Sequence, residues 1–304
     1  TAHAGLTLRE IFLTRENTVR AGWRAALFVV LSYVLINVGI LFMYFVGRPR
    51  SSALTQVLQY LVILAGAWLA HYVMLRWVDH KPWSYVGLGL EQLTPRVIAI
   101  GLALCSLCIM VPSGGLLLAH ELTVTTGLQG THSWAGIATA GAALFLPQSL
   151  SEEMLSRGYL FAALRDGVGV AGALAVTSIG FGLLHMANPG ATAQSVTIVI
   201  LAGVFLGAIL IATRSLYAAW AAHFAWNWTM AELLHSAVSG IQMPYSTYRV
   251  ISTGPAWLTG GSWGPEGGAA AAAGMLAGIA VLAAWYRRLA SSDVSRETSA
   301  AWSR

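Results

Sequence analysis

Between Asp166 and Arg214 the chain reads GVGVAGALAVTSIGFGLLHMANPGATAQSVTIVILAGVFLGAILIAT, 47 residues without Asp, Glu, Lys or Arg. A transmembrane helix needs about 20 predominantly apolar residues, so this run is long enough for two spans. The Asn188-Pro189-Gly190 sequence near its centre predicts the turn between them. Soluble domains are usually about 25% charged, so an uncharged stretch of this length indicates a membrane protein.

The rest of the chain follows the same pattern. Runs of 23, 25 and 24 residues without Asp, Glu, Lys or Arg occupy 25–47, 51–75 and 97–120. The whole sequence is 57% hydrophobic and 10% charged, with a mean hydropathy of +0.67. We therefore predict an all-α fold, a polytopic integral membrane protein of about eight transmembrane helices, at residues 25–47, 54–76, 96–119, 134–164, 168–186, 194–213, 215–238 and 268–287.

Two predicted segments are not simple spans. The helix at 134–164 is too long for one straight crossing, and Pro147 is expected to kink or break it. The segment 239–268 is rich in Gly, Pro, Ser and Trp and is predicted to be an outside loop, either functional or disordered. Cys105 and Cys108 lie in an apolar run, which favours packing over a redox role.

The basic residues define an orientation. With eight spans, 14 of the 17 Lys and Arg residues fall on the side of the N-terminus, and only Arg48, Arg50 and Arg249 fall on the other. The positive-inside rule makes the first side cytoplasmic. We predict a protein of the plasma (inner) membrane with both termini cytoplasmic. Its parts are a cytoplasmic N-terminal or interfacial segment at 1–24, a transmembrane domain at 25–290 and a cytoplasmic tail at 291–304.

Glu152 and Glu153 follow 30 residues that contain no charged side chain. A carboxylate in the bilayer costs roughly 2.5–3.5 kcal/mol, so two adjacent ones indicate a function. Glu153 and Arg157 are four residues apart on a helix and can pair directly. Glu152 points about 100° away from Glu153. This leaves Glu152 as the free acid, suited to general-base chemistry.

Histidines occupy two further predicted helices. His223 and Asn227 are also four residues apart, so their side chains project together and could stabilise an oxyanion. His185 stands close to Gly182, which permits another helix to approach. Each group alone also fits a packing role: a hydrogen-bonded histidine, a structural ion pair, or polar contacts between helices. Their joint occurrence on three spans favours a site.

These residues form three ordered motifs. Glu-Glu-x-x-x-Arg, Phe-x-x-x-His and His-x-x-x-Asn together resemble the CAAX prenyl protease type II family, also called the CPBP or bacteriocin-processing family of intramembrane proteases. The resemblance covers about 150–230 and rests on Glu152, Glu153, Arg157, Phe181, His185, His223 and Asn227.

The resemblance implies hydrolysis of a peptide bond in a membrane cavity. In that family the residues corresponding to Glu152 and His185 activate a water, and those corresponding to His223 and Asn227 form the oxyanion site. The second acid and the arginine support the site structurally; here these are Glu153 and Arg157. The expected partners are a peptide or membrane-anchored protein substrate and the lipid bilayer, in a bacterial membrane. Lipid headgroups explain the net charge of +5, so no nucleic acid is expected.

Cofactor chemistry stays open at this point. Glu152, His185 and His223 would supply the three protein ligands of a catalytic zinc site. The helical zinc signature H-E-x-x-H is absent, which favours glutamate-activated water and no cofactor, with zinc as the alternative. The rival functions are a non-catalytic membrane scaffold and a proton-coupled transporter whose buried acid and histidines carry protons. The lack of an internal repeat counts against the transporter.

Overall fold

The computed structural model describes residues 11–14, 18–47, 49, 51–127 and 133–291. In this part of the chain eight helices have thirteen residues or more, and the predicted all-α polytopic fold is confirmed. The helices are α1 (Ala21–Val46), α2 (Ser52–Val73), α3 (Pro95–Leu118), α4 (Trp134–Arg157), α5 (Tyr159–Leu184), α6 (Ala193–Thr213), α7 (Leu216–Trp228) and α8 (Ala269–Ser291). Most of the predicted segments 1–24 and 291–304 lies outside the described residues.

Six stretches of the described chain are long and apolar enough to cross a membrane. One of them, Trp134–Ala187, contains both α4 and α5. Helix α7 has only thirteen residues and is extended by a π-helical turn at Thr229–Leu233, so it does not count as a separate span by length. Eight helices therefore give six candidate spans, because α4 and α5 share one candidate and α7 is not counted.

Polar residues begin several helices. The hydroxyl groups of Ser51, Thr94, Ser133 and Thr192 accept hydrogen bonds from backbone N–H groups of the first turns of α2, α3, α4 and α6. These side chains replace the hydrogen bonds that the first N–H groups of a helix cannot make within it. The capped ends agree with the predicted boundaries to within two residues.

Pro147 is expected from the sequence to kink or break the fourth helix; the break is wrong, and the kink stays a prediction. Helix α4 runs through Pro147, although proline lacks the N–H of one ladder bond. The carbonyl of Phe145 accepts from the Ser149 hydroxyl, and that of Leu146 accepts from Trp220 Nε1 at 3.0 Å. The missing N–H leaves the carbonyl of Ala143, four residues earlier, without its ladder partner, and α4 continues past this point.

The break lies instead at Gly158, where φ is −81° and ψ is −121°. The backbone N–H of Tyr159 leaves the helical ladder and donates to His71 Nε2 at 2.9 Å. A Cβ at position 158 would lie 2.3 Å from that same nitrogen, so only glycine permits the approach. The fourth helix consequently ends seven residues earlier than predicted.

Helix α5 begins at Tyr159 rather than at 168. Gly169 interrupts it with φ 74° and ψ 172°, a left-handed conformation that suits glycine. The stretch 159–168 before this kink belongs to the end of the molecule where α1 begins, because Asp166 pairs with Arg24 at 3.1 Å.

A cluster of polar side chains lies at this end of the helix bundle. We call Arg24, Asp79, Tyr85, Tyr159 and Asp166 the floor cluster. The Arg24 guanidinium lies 2.7 Å from Asp79 and donates to Tyr85 at 2.7 Å, and the Tyr159 hydroxyl also donates to Asp79. Burial, followed by the hydrogen bond to Asp166, raises the pKa of Tyr85 above its ordinary value, so the phenol stays neutral. The cluster joins α1, the end of α2 and the start of α5.

The opposite end carries the only strands of the described residues. Strand β1 (Leu122–Thr126) follows α3, and β2 (Tyr248–Ser252) lies between α7 and α8; they pair antiparallel, with Val124 opposite Val250. The described loop 239–268 is therefore structured rather than disordered. It also contains three short helical turns, at Ala256–Thr259, Gly261–Trp263 and Pro265–Gly267.

Candidate active site

A cavity of about 670 Å³ lies among α2, α4, α5, α6 and α7. Four residues that the sequence predicts to be catalytic line it: Glu152, His185, His223 and Asn227. Glu152 projects from the last two turns of α4, because the break at Gly158 ends that helix nearby. Residues from all three motifs, which α4, α5 and α7 carry, therefore line one cavity.

The two supporting residues lie behind the cavity wall. Arg157 Nη1 pairs with Glu153 Oε1 at 3.0 Å, as their spacing predicts, and both side chains are fully buried. The same Glu153 oxygen lies 2.9 Å from His223 Nδ1. Since a carboxylate only accepts, His223 donates its Nδ1 proton to Glu153. Glu153 therefore orients the histidine on α7 as well as pairing with arginine.

Phe181 gives the second motif a packing role. Its ring lies under the Arg157 guanidinium, 4.2 Å from the carbon to the ring centroid. The ring centroids of His185 and His223 are 4.7 Å and 5.9 Å away. A cation over a desolvated aromatic face contributes about 2 kcal/mol, so Phe181 stabilises the buried arginine between the two histidines.

The Glu152 carboxylate is held on one oxygen and free on the other. Its Oε1 accepts from the Gln148 amide, one turn earlier on α4. Its Oε2 lies 3.8 Å from His223 Nε2, beyond hydrogen-bond distance. Among the described residues no donor bonds to Oε2, although this atom is buried. The side chain as a whole is 25% exposed and lines the cavity.

His185 has a defined tautomer. Its Nδ1 lies 2.7 Å from the carbonyl oxygen of Phe181, one turn earlier on α5. A carbonyl can only accept, so Nδ1 carries the proton and Nε2 of the neutral ring is an acceptor. The ring lines the same cavity as Glu152, and its second nitrogen is available to take a proton.

Asn227 makes a contact that the sequence does not predict. Its Nδ2 donates to Gln148 Oε1 at 3.0 Å. Gln148 therefore bridges Asn227 on α7 and Glu152 on α4 through the two ends of one amide. The second hydrogen on Nδ2 is not used by this bond, so the asparagine keeps one donor for a ligand.

Sequence reasoning missed several cavity residues. Gln148 stands four residues before Glu152, so helical spacing could have found it. On α2, Gln56, Gln59 and Tyr60 share one face of an otherwise apolar helix and line the cavity. Glu266 also lines it and accepts from Trp226 Nε1 and Ser239 Oγ, both at 2.8 Å. Glu266 is the only acidic residue of the loop 239–268, so its isolation was a signal that the sequence offered.

The zinc alternative finds no support in the side-chain positions. Among the described residues, no three His, Cys, Asp or Glu side chains converge closely enough to hold a metal ion. Glu152, His185 and His223 line one cavity but do not form such a group. These residues as arranged do not fit a three-ligand metal site.

Comparison with known proteins agrees with the motifs. Residues 134–229 match the family model described as type II CAAX prenyl endopeptidase Rce1-like. The match runs from the first residue of α4 to the turn after α7 and includes all seven motif residues. The family resemblance is thereby confirmed for this third of the chain. No curated protein and no solved structure matches.

Proposed function

We propose that this chain, which carries an Rce1-like domain at residues 134–229, is an intramembrane endopeptidase. The observation that carries the proposal is the Glu152 carboxylate. One of its oxygens is fixed by Gln148, and the other is buried without a donor, 3.8 Å from His223 Nε2, in a cavity that His185 also lines. A buried acceptor of this kind is costly unless it is used.

The first chemical step is activation of a water. Glu152 Oε2 accepts one proton of the water, assisted by the unprotonated Nε2 of His185. The oxygen then attacks the carbonyl carbon of the scissile peptide bond, and the carbonyl oxygen becomes an oxyanion. A positioned general base of this type contributes about 10²–10⁴ in rate.

Asn227 and His223 face the developing negative charge. The second Nδ2 hydrogen of Asn227 donates to the oxyanion. His223 already donates Nδ1 to Glu153, so it donates through Nε2 only as an imidazolium. When the C–N bond breaks, the proton held by Glu152 passes to the leaving amine, which restores the carboxylate.

Replacing Glu152 by glutamine keeps the side-chain size and removes the base. We expect Glu152→Gln to abolish cleavage while the detergent-solubilised protein elutes and unfolds like the parent. The measurement is quantitative proteomics of cells with either form, in which membrane-proximal cleavage products appear only with the parent. Equal product levels from the two proteins would refute the assignment.

The proposed mechanism needs no metal. We expect the purified protein to keep its activity after exhaustive chelation and to give no anomalous signal at the zinc edge. Loss of activity on chelation, restored by zinc, contradicts a water activated by Glu152 alone. A parallel chelation of a known zinc protease shows that the treatment is complete.

The cavity also bears on the rival functions. A proton-coupled transporter needs a polar path across the bilayer. The exposed residues that line the described cavity all lie at one end of the helix bundle, and no residue of the floor cluster lines it. A scaffold needs no acid with an unpartnered buried oxygen. Both observations favour hydrolysis.

We further propose that the protein resides in the plasma (inner) membrane with both termini cytoplasmic. The placement of basic residues in the fold supports this orientation, with one change to the count. Arg157, assigned to the cytoplasmic side from the sequence, is buried against Glu153 and contributes no surface charge.

A further inference from the structure

The exposed residues that line the cavity lie at one end of the helix bundle. We call Gln56, Leu184, Ile241, Gln242 and Pro244 the mouth residues. Gln56 is in the second turn of α2, Leu184 ends α5, and the other three follow α7. Because neighbouring helices alternate in direction, all five positions are at the end opposite to the start of α1.

The lining combines apolar and polar residues. Phe145, Phe205 and Met275 are buried apolar residues of the wall. The uncharged polar groups of Gln59, Tyr60, Asn188 and Ser239 join Gln56 and Gln242. Carboxamide and hydroxyl groups both donate and accept, which matches the alternating N–H and C=O groups of an extended peptide.

The other end of the molecule is basic, and no exposed lining residue of the cavity lies there. The floor cluster lies at this end, with Arg24 pairing with Asp79 and Asp166. Helix starts and ends place nine of the described Lys and Arg residues at this end: Arg20, Arg24, Arg76, Lys81, Arg96, Arg165, Arg214, Arg287 and Arg288. At the end that carries the mouth, Arg249 is the one described basic residue.

The basic residues and the mouth of the cavity therefore lie at opposite ends of the helix bundle. The positive-inside rule places the basic end in the cytoplasm. We propose that the cavity opens to the extracytoplasmic side and admits an extended segment of an exported or membrane-anchored polypeptide from there. That this polypeptide is cleaved rests on the proposed function, whereas the side of the membrane on which the mouth lies is independent of any activity.

Cysteine labelling tests the side of the mouth. The native cysteines, Cys105 and Cys108, are both buried, so the parent protein provides the background. Gln242→Cys places a thiol at the mouth, and Lys81→Cys places one at an exposed position of the basic end. Intact spheroplasts are treated with a membrane-impermeant maleimide, and permeabilised ones serve as the reference.

We expect Gln242→Cys to be labelled in intact spheroplasts to at least tenfold above background, and Lys81→Cys only after permeabilisation. The reverse pattern, labelling of both in intact cells, or protection of Gln242→Cys would overturn the proposal. Both variants are labelled after denaturation, which shows that each protein is present.

An occlusion experiment tests whether the mouth is the entrance. Purified Gln242→Cys and Lys81→Cys are each coupled to a polyethylene glycol maleimide and assayed with quenched fluorogenic peptides, with and without a farnesylated cysteine. Coupling is expected to reduce cleavage at least tenfold for Gln242→Cys and to leave Lys81→Cys unchanged. Equal rates before and after coupling at Gln242→Cys would overturn entry by the mouth.

The two experiments separate the possible failures. An uncoupled protein that cleaves no peptide in a Glu152-dependent manner contradicts the proposed hydrolase and leaves the labelling result standing. Labelling of the opposite side contradicts the extracytoplasmic opening, whatever the enzyme assay gives.

Discussion

At the scale of single residues, Gln148 is the least expected member of the site. Its amide nitrogen donates to Glu152 and its amide oxygen accepts from Asn227. One side chain thus fixes both the proposed base and a proposed oxyanion donor. Loss of such a bridge leaves each partner free to rotate, although its own chemistry is intact.

We expect Gln148→Leu to lower kcat by about 10²–10³, similar to the loss of one oxyanion-hole donor, with little change in KM. The matched control is Gln59→Leu on α2, which lines the same cavity and makes no hydrogen bond among the described residues. That control should change KM more than kcat. A kcat for Gln148→Leu equal to that of the parent would show that the bridge has no part in positioning.

Residue spacing predicted one half of the site geometry. Glu153 and Arg157 are on one helix, so a four-residue separation sufficed to predict their ion pair. The contacts of Glu153 with His223 and of Gln148 with Asn227 join α4 to α7. They depend on the rotation and depth of two helices, which no local pattern specifies.

At the scale of elements, some helix ends follow from local sequence signals, and others depend on residues that are distant in the sequence. Runs without charged residues and polar caps located the starts of α2, α3, α4 and α6, because both are local signals. The break at Gly158 depends on His71, 87 residues earlier in the sequence. Pro147 is a strong local signal for a break, yet α4 continues through it. Here the local preference does not decide where the helix ends.

Gly158→Ala tests the helix break. The added methyl group would meet His71 Nε2 at 2.3 Å and the Met154 carbonyl oxygen at 2.4 Å. Overpacking of this kind costs typically about 1–3 kcal/mol, so we expect a lower midpoint of thermal unfolding in detergent. The matched control is Gly180→Ala in α5, where a Cβ meets nothing within 4 Å. A Gly158→Ala protein as stable as the Gly180→Ala protein would contradict this account.

At the scale of the whole molecule, the floor cluster joins three helical segments that are far apart in sequence. Arg24 is the centre of the cluster, since it contacts Asp79, Tyr85 and Asp166. Asp79 is largely buried and would lose its cationic partner if Arg24 were replaced. The cluster lies outside the cavity, so stability and catalysis should separate.

We expect Arg24→Gln to lower the free energy of unfolding by on the order of 1–3 kcal/mol, the contribution of hydrogen bonds to charged groups. Peptide cleavage at low temperature should remain near that of the parent. Arg76→Gln, an exposed arginine at the same end, is the control and should change stability by less than about 0.5 kcal/mol. A large loss of activity in Arg24→Gln without a loss of stability would mean that the two ends of the molecule are coupled.

The position of the mouth has a consequence for turnover in the proposed enzyme. Because the exposed lining residues all lie at the mouth, we expect both fragments of a cut polypeptide to leave by the route through which the intact chain came in. Departure of the fragments then competes with arrival of the next chain, and steps of this kind limit the rate of many enzymes. Fragments added in excess should slow the reaction, and progress curves should bend well before the starting material is consumed.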